Sequence, residues 1–416
     1  MTKIAILGAG AAGLRAGSLL KQKGYNVEIL EASERVGGRV WSIKGFADFT
    51  VEAGACFVHG EHSSLYAWAN NKNIPVSEVK GSFLYLYEQQ LLSHRQLAQE
   101  AFFKDFLEFR EGYSYYEAED PREEISVQEF LHAHHVAPAH IPFYSALVGA
   151  YGALPEAISM KEMAQAAAAW DEGSKNFRCK TEFTEFLSVD IEVVRDCIHT
   201  QKVVRLVEQY AWGTRLVTDM GEIYEADAVI VTVPLTILQD NFISFQPPLS
   251  PAKVKAIQQL KMGKGRKIFL KFKQKFWDAQ LAEITAGNVA QEYWVEGRGK
   301  NSQQAVLTAF ILDRTERKEV LVEAMLSELS MAFKTDLRPL FEQALEIDWA
   351  NMPFVKGLYS YPSPDSSKYR RALALPSHDR LFWAGEATEK YLFGTVQGAW
   401  ASAERVVSEV QDVFKL

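Results

Sequence analysis

The first residues able to do chemistry are glycines. Gly8-Ala9-Gly10-Ala11-Ala12-Gly13 follows directly on the apolar run Lys3-Ile4-Ala5-Ile6-Leu7 and opens an Ala- and Leu-rich stretch reaching about Lys23. In a strand-to-helix turn of this kind, Gly8 permits the turn, Gly10 lets the backbone approach a pyrophosphate, and Gly13 lets the helix pack on the sheet. The free N–H groups and dipole of the helix start, where Ala12 lies, then face the phosphates. Val27-Glu28-Ile29-Leu30 reads as a second strand. It ends at Glu31, with Ala32 beside it, roughly 20 residues past the first glycine, where an acid accepts ribose hydroxyls. Strand, glycines, helix, strand and acid in this order specify a dinucleotide site. Gly37-Gly38-Arg39 adds a second backbone nest and a guanidinium for the same pyrophosphate.

Other chemistry-bearing residues are ambiguous taken alone. In Gly265–Phe272, alternation puts Lys267, Phe269 and Lys271 on one face and Ile268, Leu270 and Phe272 on the other. Without further context that is a solvated basic strand. Tyr359 and Tyr361 share a strand parity and read either as a core pair or as pocket walls. His59, beside a glycine, reads as a polar loop residue or as a substrate contact. His132, His134, His135 and His140 lack the i, i+4 pair or paired cysteines of a zinc site, so no metal is expected. Tyr113, Tyr115, Tyr116, Glu117, Glu119 and Asp120 read as a solvated loop.

The elements that must position these residues come from pattern and composition. The 416 residues suit two intimately packed domains with a large core. A net charge of −8 argues against a nucleic-acid partner. Cys56, Cys179 and Cys197 are few, odd in number and without metal spacing, which suits a reducing compartment. The chain starts almost at once with a strand, leaving no room for a signal peptide, and no apolar run approaches the ~20 residues of a membrane helix. The expectation is a soluble cytoplasmic protein with no membrane partner. Helical patterns run over Ala101–Glu108, Ser126–Ala133, Met160–Trp170 and Glu316–Thr335, with a further helix read at Leu337–Ala344. Breaks fall at Pro121, Pro138, Pro142 and Pro155. Lys202–Val207 and Ala228–Val233 read as strands, with turns at Trp212-Gly213 and Met220-Gly221.

From Gly37-Gly38-Arg39 onward the chain resembles the flavin-containing amine oxidases: monoamine oxidases, polyamine oxidases and the catalytic part of flavin histone demethylases. Phe49–Gly60 is similar to their Glu-x-Gly-Ala-x-Trp-hydrophobic-x-Gly segment, which implies that Phe57 and Val58 return to the flavin ring. Cys56 and Phe57 replace the threonine or asparagine and the tryptophan commoner there. His59 stands where animal-type polyamine oxidases have histidine, implying a neutral imidazole against the substrate nitrogen or its water. Val204 matches a valine whose backbone holds adenine. Gly265–Phe272 resembles Lys-hydrophobic-Phe-Leu-x-Phe, and this implies that Lys267 holds a water against flavin N5. Trp349–Tyr361 resembles Trp-x-x-x-Pro-Phe-x-x-Gly-x-Tyr-Ser-Tyr and puts Tyr359 in the aromatic cage that aligns the amine. Leu358 replaces the cysteine that bonds flavin in monoamine oxidases, so the implied FAD is non-covalent.

Near the C-terminus, Gly385-Glu386-Ala387-Thr388 resembles the family's second fingerprint, with Gly385 and Glu386 at the ribityl or pyrophosphate region. Gly394–Ala399 opens a helix whose start, at Thr395 and Val396, is implied to aim its dipole at flavin N1 and C2=O. Thr395 also takes the second cage position, as in polyamine oxidases and histone demethylases. Gln397 departs from their histidine.

The resemblance implies an α/β architecture: a Rossmann-like FAD-binding domain (1–62, 196–247 and 377–416) and a discontinuous α+β substrate domain (63–195 and 248–376). It implies an enzyme passing hydride from the carbon beside an amine nitrogen to flavin N5. The imine hydrolyses, and O2 becomes hydrogen peroxide. A polyamine or other larger amine is favoured by Thr395 and His59. Three alternatives stand beside it. An amino-acid oxidase needs an arginine clamp, for which Arg178, Arg266 and Arg298 are candidates. The others are a flavin desaturase or protoporphyrinogen-oxidase-like enzyme and a non-catalytic flavin-binding protein. Oligomeric state is left open.

Overall fold

Apolar β-branched residues that alternate between two buried faces form the central sheet of this computed structural model, which describes residues 1–117, 124–300 and 302–414. Five parallel strands run in the order Ile198–His199, Asn26–Leu30, Lys3–Leu7, Ala228–Val231, Leu381–Trp383. Both faces are covered, which is why these strands are apolar throughout. Ile4, Ile6, Ile29, Ile230 and Phe382 pack under the helices Ala11–Gln22 and Val396–Phe414. Ala5, Leu7, Leu30, Val229, Val231 and Trp383 meet a second layer. That layer contains the sheet Ile223–Ala226, Gly213–Thr218, Val204–Tyr210, Ser244–Gln246 and the helices Pro251–Gln259 and Ser366–Ala374. The hairpins turn where the sequence places them.

A seven-stranded sheet carries the other half of the molecule, in the order Phe341–Asp348, Gly265–Phe272, Ala305–Leu312, Glu292–Val295, Leu281–Thr285, Ser82–Tyr87, Gln90–Ser93. One face, with Ile268, Leu270, Leu307, Ile311 and Tyr293, is sealed by the helix Lys318–Phe333. The opposite face presents Phe269, Phe310, Trp294 and Ile347 to the segment around Val51–Cys56. Farther along the sheet, an aromatic cluster of Phe103, Phe106, Phe143 and Tyr144 forms under the helices Ala101–Gly112, Val127–Ala133 and Ile141–Gly149.

Three expectations are corrected. Leu337–Ala344 is not a helix: the chain turns at 337–340 and pairs as the edge strand Phe341–Asp348 with Gly265–Phe272. Ladder pairing overrides the helix preference of its Glu, Gln, Ala and Leu residues. Tyr359 and Tyr361 do not lie on a regular strand, since that segment makes only an isolated bridge, Met262 to Ser360. Tyr113 and Tyr116 are half-buried rather than solvated, with their rings against Phe109 and Phe130 at 5.7 Å each. Tyr115 is exposed; Glu119, Asp120 and Pro121 lie outside the described residues. Among the described residues no helix is long and apolar enough to cross a membrane.

Candidate active site

The glycine turn has the shape its composition demands. Gly8 adopts φ +104°, and a Cβ on Gly13 would lie 2.0 Å from the Gly8 carbonyl oxygen, so only glycine lets the turn close. Nothing lies within 4 Å of a Cβ built on Gly10, which leaves that backbone open to a ligand. Glu31 accepts hydrogen bonds from the Ala9 amide at 2.7 Å and from the Ser33 amide and hydroxyl at 2.9 and 2.7 Å. Its carboxylate is therefore fixed beside the turn, with Ala32 half-buried next to it and Ala12 buried in the helix. The second nest sits on the first: the Gly37 amide donates to Ala9 O at 2.8 Å, and a Cβ on Gly38 would lie 3.4 Å from Gly10 Cα. The Lys202 amide donates to Glu31 O at 2.9 Å, carrying the start of the strand with buried Val204 toward the same end. These residues fit an adenine dinucleotide.

At the other end of the cleft, Gly385 adopts φ +124° and hands the chain to Glu386. Glu386 is buried and accepts from Arg39 Nη1 at 2.8 Å, Ser360 Oγ at 2.5 Å and the Gly394 amide at 2.9 Å. Burial pushes its pKa up, but the Arg39 and Arg370 charges outweigh burial and hold it below the usual carboxylate range. Arg39 also donates to Leu358 O at 2.9 Å, so one guanidinium ties the two glycine-rich turns together. Arg370, fully buried, donates to Ser360 Oγ at 2.6 Å and lies 4.1 Å over the Phe393 ring. Nothing in its local sequence marks it, because its role depends on Glu386 arriving from a distant segment.

Thr395 caps the C-terminal helix. Its hydroxyl accepts from the Gly398 amide at 3.0 Å and donates to Leu392 O at 2.7 Å, so it is committed to the backbone. The Val396 and Gln397 amides, at the first helical positions, have no intrahelical acceptor. Gln397 is buried, and its side-chain amide donates to His59 O at 3.4 Å.

Lys267 is buried, not solvated. Its ammonium donates to Gly54 O at 2.6 Å, Glu52 O at 3.1 Å and Cys56 Sγ at 3.3 Å, and it sits 5.2 Å from the Trp294 ring centroid. All three protons are thus taken by protein acceptors. Phe57 meets Trp294 edge-on at 5.7 Å, and Arg178 lies 5.5 Å from the Phe57 ring. Arg178 is paired with Glu296 at 2.6 Å, and Glu296 also accepts from Trp294 Nε1 and Thr308 Oγ1. Val58 is buried. Burial lowers the pKa of His59, and its bond to Asn176 opposes this only in part. The ring is therefore neutral at pH 7, donating from Nδ1 to Asn176 Oδ1 at 2.8 Å and leaving Nε2 as an acceptor.

Tyr359 donates to Ala150 O at 3.1 Å. Its ring is gripped between two glycines: a Cβ on Gly152 or Gly394 would come within 2.5 or 2.9 Å of it. Burial, then nearby Glu292, raises its pKa, so the phenol stays protonated. Tyr359 touches the residue before Thr395, Gln397 reaches His59, and Lys267 holds the strand leading into Phe57. The four residues singled out for catalysis thus border one region.

A family model for flavin containing amine oxidoreductases matches residues 11–411. Lysine-specific histone demethylase 2 of Homo sapiens is 27% identical over 98% of this chain and 53% of its own length. Polyamine oxidase 3 of Oryza sativa subsp. japonica is 24% identical over 97% of this chain and 88% of its own. The chain spans about half the length of the human and mouse demethylases it matches. A solved structure of a putrescine oxidase double mutant superposes with a TM-score of 0.85 over 99% of both chains at 19% identity, a likeness of fold. With nearly its whole length matched by that family model, the chain belongs to the flavin-containing amine oxidoreductase family.

Proposed function

We propose that this chain oxidises an aliphatic amine with non-covalently held FAD, yielding an imine that hydrolyses to an aldehyde, and passes the electrons to O2 as hydrogen peroxide. The observation that carries the reading is convergence: the open Gly10 backbone, the Arg39–Glu386 tie and the free amides of Val396 and Gln397 border the same region as Lys267, His59 and Tyr359. Bound FAD would supply the hydride acceptor. The chain's own part is to bind, orient and hold charge. Glu31 meets ribose hydroxyls and Arg39 the pyrophosphate. The Val396 and Gln397 amides, at the positive end of a helix dipole, favour negative charge placed before them. Lys267 supplies a fixed cation, and any water it orients must displace its weakest contact, the Cys56 sulfur. Tyr359 forms a rigid wall that orients the amine, and neutral His59 accepts a hydrogen bond through Nε2 from a nitrogen or its water. Leu358, buried and apolar, offers no nucleophile for a covalent flavin link at its position.

The amino-acid oxidase alternative lacks its clamp among the named candidates. Arg178 is paired with Glu296, Arg266 with Glu346, and Arg298 donates to Leu281 O and Lys80 O. The domain division given by the sequence and a cytoplasmic location, which suits three free thiols, belong to the same proposal. Anaerobic mixing with monoamines, polyamines and amino acids tests it. Amines are expected to bleach the bound flavin; folded, colourless protein that ignores added FAD would overturn the reading.

A further inference from the structure

His59 is held by a strand from a distant part of the chain. Val58–His59 pairs antiparallel with Asn176–Cys179, whose other edge pairs with Val76–Glu78. The register sets Val58 opposite Phe177 and His59 opposite Asn176. Val58 and Phe177 enter the core under the central sheet, so His59 and Asn176 share the other face. Arg178, two residues on, returns to that face, where it pairs with Glu296 at 2.6 Å and lies 5.5 Å from the Phe57 ring. One strand therefore carries Asn176 to His59 and Arg178 to the surroundings of Trp294 and Lys267. Asparagine is disfavoured in strands, so local propensity does not explain its presence at this position.

The backbone around His59 is clasped as well. The Gly60 amide donates to Lys175 O and the His62 amide to Glu172 O, each at 2.8 Å, and the Lys175 amide donates to Glu61 Oε2 at 2.9 Å. Gly60 adopts φ +85°, and a Cβ there would lie 2.1 Å from Glu172 O, so the two segments touch only through glycine. From the C-terminal helix, Gln397 donates to His59 O at 3.4 Å. What is left to His59 is the angle of its ring and the choice of which nitrogen carries the proton. Asn176 fixes both: its Oδ1, 2.8 Å from Nδ1, accepts that N–H and leaves a lone pair on Nε2. It does so without charge. The lowered pKa of His59 comes from burial, opposed in part by the Asn176 bond, and no charged group contributes to it. The ionisable groups on the elements packed around it have other partners: Glu61 has Lys175, Glu172 lies beside Asp171 and His62, Arg178 has Glu296, and Lys72 lies over the Trp68 ring.

We propose that Asn176 is a positioning residue for oxidation of the amine: by holding His59 with its proton on Nδ1, it makes Nε2 an acceptor for an amine N–H and leaves the nitrogen lone pair free. This rests on the amine-oxidation reading above and adds a residue to it. The lone pair must form the C=N bond as hydride leaves the neighbouring carbon for the flavin. The opposite tautomer presents Nε2–H, which would hydrogen-bond to that lone pair and withhold it from the new bond. A protonated ring would do the same and set a second positive charge beside the one developing on the imine nitrogen. A carboxamide meets both requirements, as an acceptor that carries no charge. A carboxylate in its place would accept the same N–H but draw another proton onto the ring.

Two variants separate acceptor from charge: Asn176→Leu removes the acceptor, and Asn176→Asp keeps it while adding charge. Rapid anaerobic mixing of the FAD-loaded proteins with the amine that bleaches wild type fastest gives the limiting rate of flavin reduction. Nitrogen NMR of the isotope-labelled imidazoles, with His59→Gln identifying the His59 signals, gives the tautomer without turnover. Wild type is expected to carry its proton on Nδ1. Asn176→Leu is expected to lose that preference and to slow bleaching up to ~100-fold at every pH, the scale of a misplaced reacting group. Asn176→Asp is expected to be several-fold slower at about pH 7 and to approach wild type by about pH 9, as His59 gives up the proton the carboxylate drew onto it. A strand merely loosened by substitution would show no such recovery. In a His59→Gln background, Asn176→Leu is expected to cost nothing further, because the two residues act as a unit. An Nε2–H ring in wild type, or bleaching by Asn176→Leu at the wild-type rate, would overturn the positioning role and leave amine oxidation standing. If no amine bleaches the wild-type flavin, it is the amine-oxidation reading that fails, and the positioning role with it.

Discussion

A deeply set acid with no hydrogen-bond donor among the described residues should weaken the fold, and Glu283 allows that to be measured. Its pKa rises from 4.5 to about 7, first because burial disfavours the carboxylate, with Arg178 offsetting part of the effect. Between those two values the native state binds more protons than the unfolded chain, so stability falls as pH rises from 4.5 toward 7 and is level above that. At about 1.4 kcal/mol per pKa unit, the ionised side chain costs the fold on the order of 3 kcal/mol. Glu283→Gln removes the charge and breaks no protein hydrogen bond. The variant should therefore be more stable than wild type by ~3 kcal/mol at about pH 8.5, and nearly equal at about pH 4.5. Unfolding entropy of ~2.1 cal/mol/K per residue gives roughly 0.9 kcal/mol/K for the whole chain, so the Tm gain is ~3 °C. Thermal scans of both FAD-loaded proteins across this pH range provide the comparison. A variant that is less stable than wild type at high pH, or a difference independent of pH, would show that Glu283 has a partner in the folded protein and refute the reasoning.

Other outcomes follow from the rest of the cleft. Lys267→Met should slow flavin reduction or reoxidation by ~10- to 1000-fold, the scale of one positioned group. Stopped-flow spectra of the still-yellow variant report this, and unchanged rates would reduce Lys267 to a packing residue. Gly10 has ordinary extended backbone (φ −81°) and open space at its Cβ position, so Gly10→Val should fold but lose FAD, visible as colourless protein with a native circular dichroism spectrum. Because the reacting nitrogen must be neutral and free alkylamines have pKa near ~10, kcat/KM should rise from about pH 7 to about pH 9. His59 is already neutral there, so its titration adds no limb to that profile; a flat profile would remove the requirement for neutral amine.

What the sequence shows clearly is what acts locally. Gly8, Gly10, Gly13 and Glu31 have jobs set by their own backbone angles and by two strands only a helix apart, so order and spacing suffice. Lys267 marks where this stops. Alternation places it with Phe269 on one face but cannot say which face is buried. That is decided by carbonyls at Glu52 and Gly54, more than 200 residues away in the chain. Thr395 can be placed at the start of a helix, yet only the fold shows its hydroxyl committed to Leu392 and Gly398. The stretch 337–344 misleads because helix-favouring residues are recruited by a ladder partner far off in sequence. Glu283 and Glu292 are the extreme case. In their own strands they are ordinary acids; only the cross-strand register sets Glu292 in the row of Lys267, with Glu283 diagonal to it and no hydrogen-bond donor to either among the described residues. The glycines of the first turn announce themselves because their constraint is local, set by backbone angles and close contacts; an acid such as Glu283 does not, because what sets it apart is a donor that no distant described segment supplies.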